Sequence, residues 1–170
     1  MSARIAGTGA PTLRFLLSGP APFIALGFGT GLARWAPGTV ATLATIPLAA
    51  LLWSIGSDAL FVAFIVLLFV VGTWAAQRTG AALGAPDHRS IVVDEIAAFL
   101  PMLFLTGPSL ARVAFAFLLF RLFDIVKPPP IRTIDQRLKN GVGAMLDDVV
   151  AAAFALLIFA AVVRVTGWPA

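Results

Sequence analysis

Long stretches without charge alternate along this chain with short stretches that hold nearly all of it. Residues 35–57 and 59–77 contain no Asp, Glu, Lys or Arg, and each supplies the roughly 20 apolar residues that a membrane-spanning helix requires. A third uncharged run, 96–111, is shorter and carries Pro101, Gly107 and Pro108. A fourth, about 109–126, holds Arg112 near one end and Arg121 and Asp124 near the other. The fifth, about 148–165, closes on Arg164. The pattern predicts an all-α, polytopic membrane bundle of four to five hydrophobic segments. One membrane-embedded domain is expected over 21–170, behind an N-terminal arm (1–20) whose order the pattern leaves open. Gly19, Pro20 and Pro22 interrupt the first apolar run, which argues against a signal peptide.

Composition sharpens this reading. The chain has 170 residues, 60% of them hydrophobic and 12% charged, against about 45–50% and about 25% in soluble domains. A soluble core of one domain cannot hide that much apolar surface, and disordered segments have the opposite bias. With no Cys and no Tyr, there is no disulfide framework, thiolate nucleophile or tyrosyl phosphoenzyme. The chemistry must come from eight acids, twelve basic residues and one imidazole, His88.

Basic residues set the orientation. They fall in the N-terminal arm (Arg4, Arg14, Arg34), in 78–89 (Arg78, Arg89) and in 127–139 (Lys127, Arg132, Arg137, Lys139), while 56–58 and 102–109 have none. If the short third segment crosses, every basic loop lies on one side. Five crossings with a cytoplasmic N-terminus are therefore expected. Asp87, Asp94, Glu95, Asp124, Asp135, Asp147 and Asp148 then share the cytoplasmic boundary, and only Asp58 lies opposite.

The pairs Asp94–Glu95 and Asp147–Asp148 have an ordinary reading as helix first-turn acids, which cap free N–H groups. Two pairs plus Asp124 at one membrane depth also make a set of hard oxygen ligands suited to Mg²⁺ and a phosphate. Arg121, Asp124 and Lys127 recur every three residues and so share a helix stripe. That stripe is either an intrahelical ion pair or the cationic edge of a phosphate site. Lys127-Pro128-Pro129-Pro130-Ile131-Arg132 is expected to be an extended strut with a cation at each end. Gly27-Phe28-Gly29-Thr30-Gly31, ahead of Pro37-Gly38-Thr39, reads as a re-entrant segment or as a backbone nest for phosphate, with Thr39 as hydroxyl donor. His88 reads as a solvated loop residue or as a general acid.

Four blocks together resemble the phosphatidylglycerophosphatase A family: GFGTGLARWAPGTVATLATIPL (27–48), DHRSIVVDEIAAF (87–99), FRLFDIVKPPPIRTID (120–135) and GVGAMLDDVVAAA (141–153). The resemblance implies a Mg²⁺-dependent lipid phosphatase of the bacterial inner membrane, multi-pass, with its active site on the cytoplasmic face. Its substrate would be phosphatidylglycerophosphate, whose terminal phosphomonoester is hydrolysed to give phosphatidylglycerol and inorganic phosphate. The family's acidic positions fall on Asp94, Glu95, Asp124, Asp147 and Asp148, the expected metal ligands, and its basic ones on Arg121 and Lys127. Asp94, Glu95, Asp124, Asp148 and His88 are the candidate catalytic residues. Arg121, Lys127, Arg132 and Thr39 are the candidates for substrate phosphate. Ala41, Ala98, Ala152 and Val93 depart from the family's pattern, but none removes a charge.

Phosphoryl transfer is chiefly positioning and electrostatics. A metal-bound water activated by one of the acids is the expected nucleophile, with an aspartyl-phosphate as the alternative. A small ion or proton transporter subunit is the rival from another class, yet it predicts acids spread through the membrane depth. A CDP-alcohol phosphotransferase would carry an Asp-x-x-Asp-Gly run, which is absent. The net charge of +4 suits anionic lipid headgroups, so nucleic acid need not be invoked as a partner. No oligomeric state follows from the pattern.

Overall fold

The computed structural model describes residues 10–86, 88–129, 131–133 and 141–168. Arg4, Asp87, Pro130, Asp135, Arg137 and Lys139 lie outside the described residues. The described residues are helical, without strands.

Five long helices follow a short N-terminal arm. Helix α3 (Pro37–Ile55) opens with Pro at its first position, where the missing N–H costs nothing. It closes on Gly56, whose φ of 69° permits the left-handed cap, with its N–H donating to Trp53 O at 3.0 Å. Ser57 then caps α4 (Asp58–Leu83) by accepting from Leu60 N at 3.3 Å. A connection this short makes α3 and α4 antiparallel. The same holds for α5 (Val93–Thr106) and α6 (Leu110–Val126), separated by Gly107, Pro108 and Ser109. Helix α7 (Gly141–Thr166) completes the bundle.

Among the described residues, three helices are long and apolar enough to cross a membrane: Pro37–Ile55, Asp58–Leu83 and Met145–Thr166. The chain is a helical membrane protein. The third and fourth expected segments are the shorter helices α5 and α6, of 14 and 17 residues. At about 1.5 Å per residue they reach roughly 21 Å and 25 Å.

Helix α5 sits in the middle, packed by α3, α4, α6 and α7. Ile96, Phe99, Leu100, Met102 and Leu103 are all buried. A helix that is apolar all round belongs inside a bundle, so the short uncharged run becomes its hub. Phe99 stacks on Phe120 of α6 with ring centroids 5.3 Å apart. Gly72 lets α4 approach closely, because a Cβ there would meet Val93 Cγ2 at 3.0 Å and Met145 Cε at 3.5 Å. Two interior hydroxyls of α3 are satisfied within their own helix: Thr42 donates to Gly38 O at 2.8 Å and Thr45 to Ala41 O at 2.9 Å.

Ahead of α3, the described residues form α1 (Leu13–Leu16), α2 (Pro20–Ala25) and a 3-10 segment over Gly27–Leu32. Phe15 and Leu16, within the arm expected over 1–20, are buried. Gly27, Phe28 and Gly29 have φ of 56°, 58° and 111°, a left-handed run that kinks the 3-10 segment. The arm is tied to the start of α5, since Val92 N donates to Ala25 O at 2.9 Å.

Candidate active site

The alternation of short connections brings the start of α3, the start of α5 and the end of α6 to one end of the bundle, against the first third of α7. Asp94 and Glu95 occupy the first turn of α5. Asp94 Oδ1 accepts from Glu95 N at 3.1 Å, so Asp94 does some local capping as well. Asp147 and Asp148 differ from the expectation of a first-turn pair. Helix α7 begins at Gly141, so these acids stand two turns inside it. They are 4% and 5% exposed, and no free helix N–H is available for them to cap. Capping explains neither residue.

Carboxylate oxygens of Asp94, Glu95 and Asp148 all lie within 4.8 Å of one another. Opposite ligands on a Mg²⁺ ion stand about 4.2 Å apart, so this spread suits one small hard cation. Glu95 Oε2 is buried and accepts no hydrogen bond among the described residues. Three oxygens converging with one left over is a donor set that fits a divalent cation. Water completes such a coordination shell readily.

The other two acids are held by cations. Arg121 Nη1 contacts Asp124 Oδ2 at 2.6 Å and lies 3.9 Å from Glu95 Oε1. Lys127 Nζ lies 2.5 Å from Asp147 Oδ2. Successive helix residues point about 100° apart, which sends Asp147 toward Lys127 and Asp148 toward the α5 carboxylates. Asp124 also neighbours Asp148, so the two groups of acids form one cluster. Lys127 has φ 44°, an uncommon conformation for a residue with a Cβ, at the point where α6 ends.

The remaining expected residues sit farther out. The strut expected after Lys127 is instead a turn, with Ile131 N donating to Pro128 O at 2.9 Å and Ile131 fully buried. Proline's φ near −65° serves a turn as readily as an extended helix, and the burial of Ile131 selects the turn. Arg132, one residue on, is exposed. Thr39 is half-buried on α3, and the hydroxyl that meets Arg121 is that of Thr42, at 3.4 Å. His88 accepts from Ser90 N through Nδ1 at 3.2 Å, with no bond to the acidic cluster among the described residues. Burial of its ring, and then the positive Arg89 beside it, lower the imidazole pKa below its ordinary value.

Sequence reasoning placed Gly38 in the Pro37-Gly38-Thr39 stretch without linking it to Glu95, and it missed Thr42. A Cβ at Gly38 would overlap Glu95 Oε1 and stand 3.3 Å from Arg121 Nη1. Their four-residue spacing puts them on one helix face, but nothing local says which helix that face meets.

These features define a helical membrane protein with a cation-braced carboxylate cluster sunk into one end of its bundle. The chain belongs to the phosphatidylglycerophosphatase A family, whose model matches residues 23–163. It is an enzyme of the phosphatase class. It is 40% identical over 153 residues to phosphatidylglycerophosphatase A of Haemophilus influenzae, covering 89% of this chain and 94% of that protein. It is 36% identical over 139 residues to phosphatidylglycerophosphatase A of Escherichia coli, covering 81% and 80%. A Bacteroides thetaiotaomicron protein named "Putative phosphatidylinositol-3-phosphatase" is 36% identical over 151 residues, covering 81% and 89%. No solved structure matches the chain.

Proposed function

We propose that this enzyme hydrolyses the terminal phosphomonoester of phosphatidylglycerophosphate in a Mg²⁺-dependent reaction at the cytoplasmic face of a bacterial inner membrane. The observation that carries the reading is the convergence of Asp94, Glu95 and Asp148 within 4.8 Å, beside two cation–carboxylate pairs. The relatives named phosphatidylglycerophosphatase A support the substrate.

Asp94, Glu95 and Asp148 would hold the metal, with Asp124 and Asp147 behind them. Bound Mg²⁺ supplies Lewis acidity toward a phosphoryl oxygen. Arg121 and Lys127 offset the anionic charge that the acids and a phosphate dianion bring together. Lys127, with 28% of its side chain exposed, is the more accessible cation. Water attacks phosphorus and yields its proton to a cluster carboxylate. The bond from phosphorus to the glycerol oxygen breaks, that oxygen gains a proton, and inorganic phosphate leaves. The basic loops expected on the cytoplasmic side attract anionic lipid and hold the headgroup at this end. Arg132 and Arg34, both exposed, suit that role better than contact with the scissile phosphate.

The test is release of inorganic phosphate from phosphatidylglycerophosphate by purified protein, with and without Mg²⁺. Asp94→Asn and Asp124→Asn should insert and purify normally yet release almost no phosphate. Asn keeps the acceptor that Glu95 N uses, so capping is retained while charge is lost. Turnover close to wild type in both variants, or full turnover in chelator, refutes the metal-site reading.

A further inference from the structure

Helix α3 contributes no charge to the acidic cluster, yet its first two turns touch both residues that join the metal group to the cation pair. Gly38 leaves the space that Glu95 Oε1 occupies, and an added methyl would collide with that oxygen. Gly38 has an ordinary helical backbone, so the requirement here is room rather than φ. One turn on, Thr42 is fully buried. Its hydroxyl proton goes to Gly38 O at 2.8 Å, which leaves an oxygen lone pair for Arg121 Nη1 at 3.4 Å. Arg121 Nη1 thus has Thr42 as an acceptor besides Asp124, with Glu95 close by. Arg121 Nε is buried and makes no hydrogen bond among the described residues.

We propose that Gly38 and Thr42 are positioning residues. Gly38 admits the Glu95 carboxylate into the metal group, and Thr42 fixes the Arg121 guanidinium beside it for phosphate. The proposal rests on the phosphatase reading above, and it separates two ligands by two residues. Gly38 governs cation affinity. Thr42 governs phosphate affinity.

The experiment uses full-length protein in detergent and probes each ligand alone. Mn²⁺ binding is followed by electron paramagnetic resonance titration. Protection against thermal unfolding by inorganic phosphate is measured at saturating Mn²⁺, and KM and kcat are measured on phosphatidylglycerophosphate. Thr42→Val should weaken phosphate protection and raise KM by about tenfold, a loss of the order expected for one hydrogen bond to a charged group. Mn²⁺ affinity should stay unchanged, and Thr42→Ser should restore phosphate binding. Gly38→Ala should weaken Mn²⁺ binding by at least about tenfold through the displaced Glu95 oxygen. Because Glu95→Asp retracts that oxygen, the double variant Gly38→Ala with Glu95→Asp should bind Mn²⁺ better than the two single losses add up to. If Gly38→Ala does not fold, the Thr42 pair still decides the phosphate half. A lowered Tm in Thr42→Val with unchanged phosphate protection and KM overturns the proposal, as does strictly additive loss in the Gly38–Glu95 cycle. Should wild-type protein release no phosphate from the lipid, the substrate reading falls, while the Mn²⁺ and phosphate arms still judge Gly38 and Thr42.

Discussion

Replacing Asp148 by Asn gives opposite signs for stability and activity. Asp148 is 5% exposed and stands two turns inside α7, so the change removes no cap and alters no volume. What it removes is charge from a crowded set. Its carboxylate oxygen lies within 4.8 Å of those of Asp94 and Glu95. At an effective dielectric of about 20, each ionised pair at that distance repels by about 3.5 kcal/mol, an upper figure because partial protonation relieves it. Without metal, Asp148→Asn should therefore match or exceed wild type in thermal stability. With metal the order reverses. A cation at a hundredfold excess over its Kd stabilises the native state by about 2.7 kcal/mol. For a chain of this size that raises Tm by about 5–11 °C in wild type, and Asp148→Asn should gain little of it. Losing the ligand should cost about 3 kcal/mol or more of transition-state stabilisation, at least a hundredfold in kcat. Thermal unfolding in detergent with chelator or Mg²⁺, beside phosphate release, measures both. A variant less stable than wild type in chelator, with an intact metal-induced shift and turnover, refutes the reasoning.

Asp58→Asn changes the lone exposed acid at the opposite end; it should leave turnover unchanged and cost at most about 1 kcal/mol from the first turn of α4. Lys127→Met removes the cation paired with Asp147, which is 4% exposed, and should destabilise by about 1–3 kcal/mol, below the range for fully buried pairs because Lys127 is partly solvated. Adding Asp147→Asn should recover most of that loss in the same unfolding assay, and additive losses would sink the pairing. For His88 the folded pKa lies below the ordinary value. The neutral ring's stabilisation is therefore present above the unfolded pKa of about 6.5 and lost as pH falls through the lower folded value. His88→Asn, which keeps an acceptor for Ser90 N but does not titrate, should lose less Tm than wild type between pH 7.5 and 5.5. Equal losses would show that His88 contributes nothing to the acid dependence.

The helical membrane class was legible from charge spacing alone, because a bilayer demands about 20 uncharged residues and tolerates nothing polar between. The acidic candidates were legible as well, since ionisable groups beside apolar segments are costly and few. Helix limits were read less well. Asp147 and Asp148 marked the edge of the uncharged run, not the start of α7, which opens six residues before Asp147, at Gly141. The proline strut failed for a related reason: backbone preference permitted two conformations, and the burial of Ile131 chose between them.

Sequence by itself determined which residues carry charge and to which end of the bundle antiparallel connections bring them. Short connections at 56–57 and 107–109 leave little choice of direction. Only the tertiary structure decided who meets whom at that end. Adjacent acids in α7 part toward different partners because helix rotation sends one to Lys127 and the other to the α5 carboxylates. Glu95 finds its place because Gly38, 57 residues earlier in the chain, has no side chain to occupy it. Such a fit depends on how far apart two helix axes lie and how each is rotated. Those quantities arise from the packing of α5 among all its neighbours, and no local stretch of sequence encodes them.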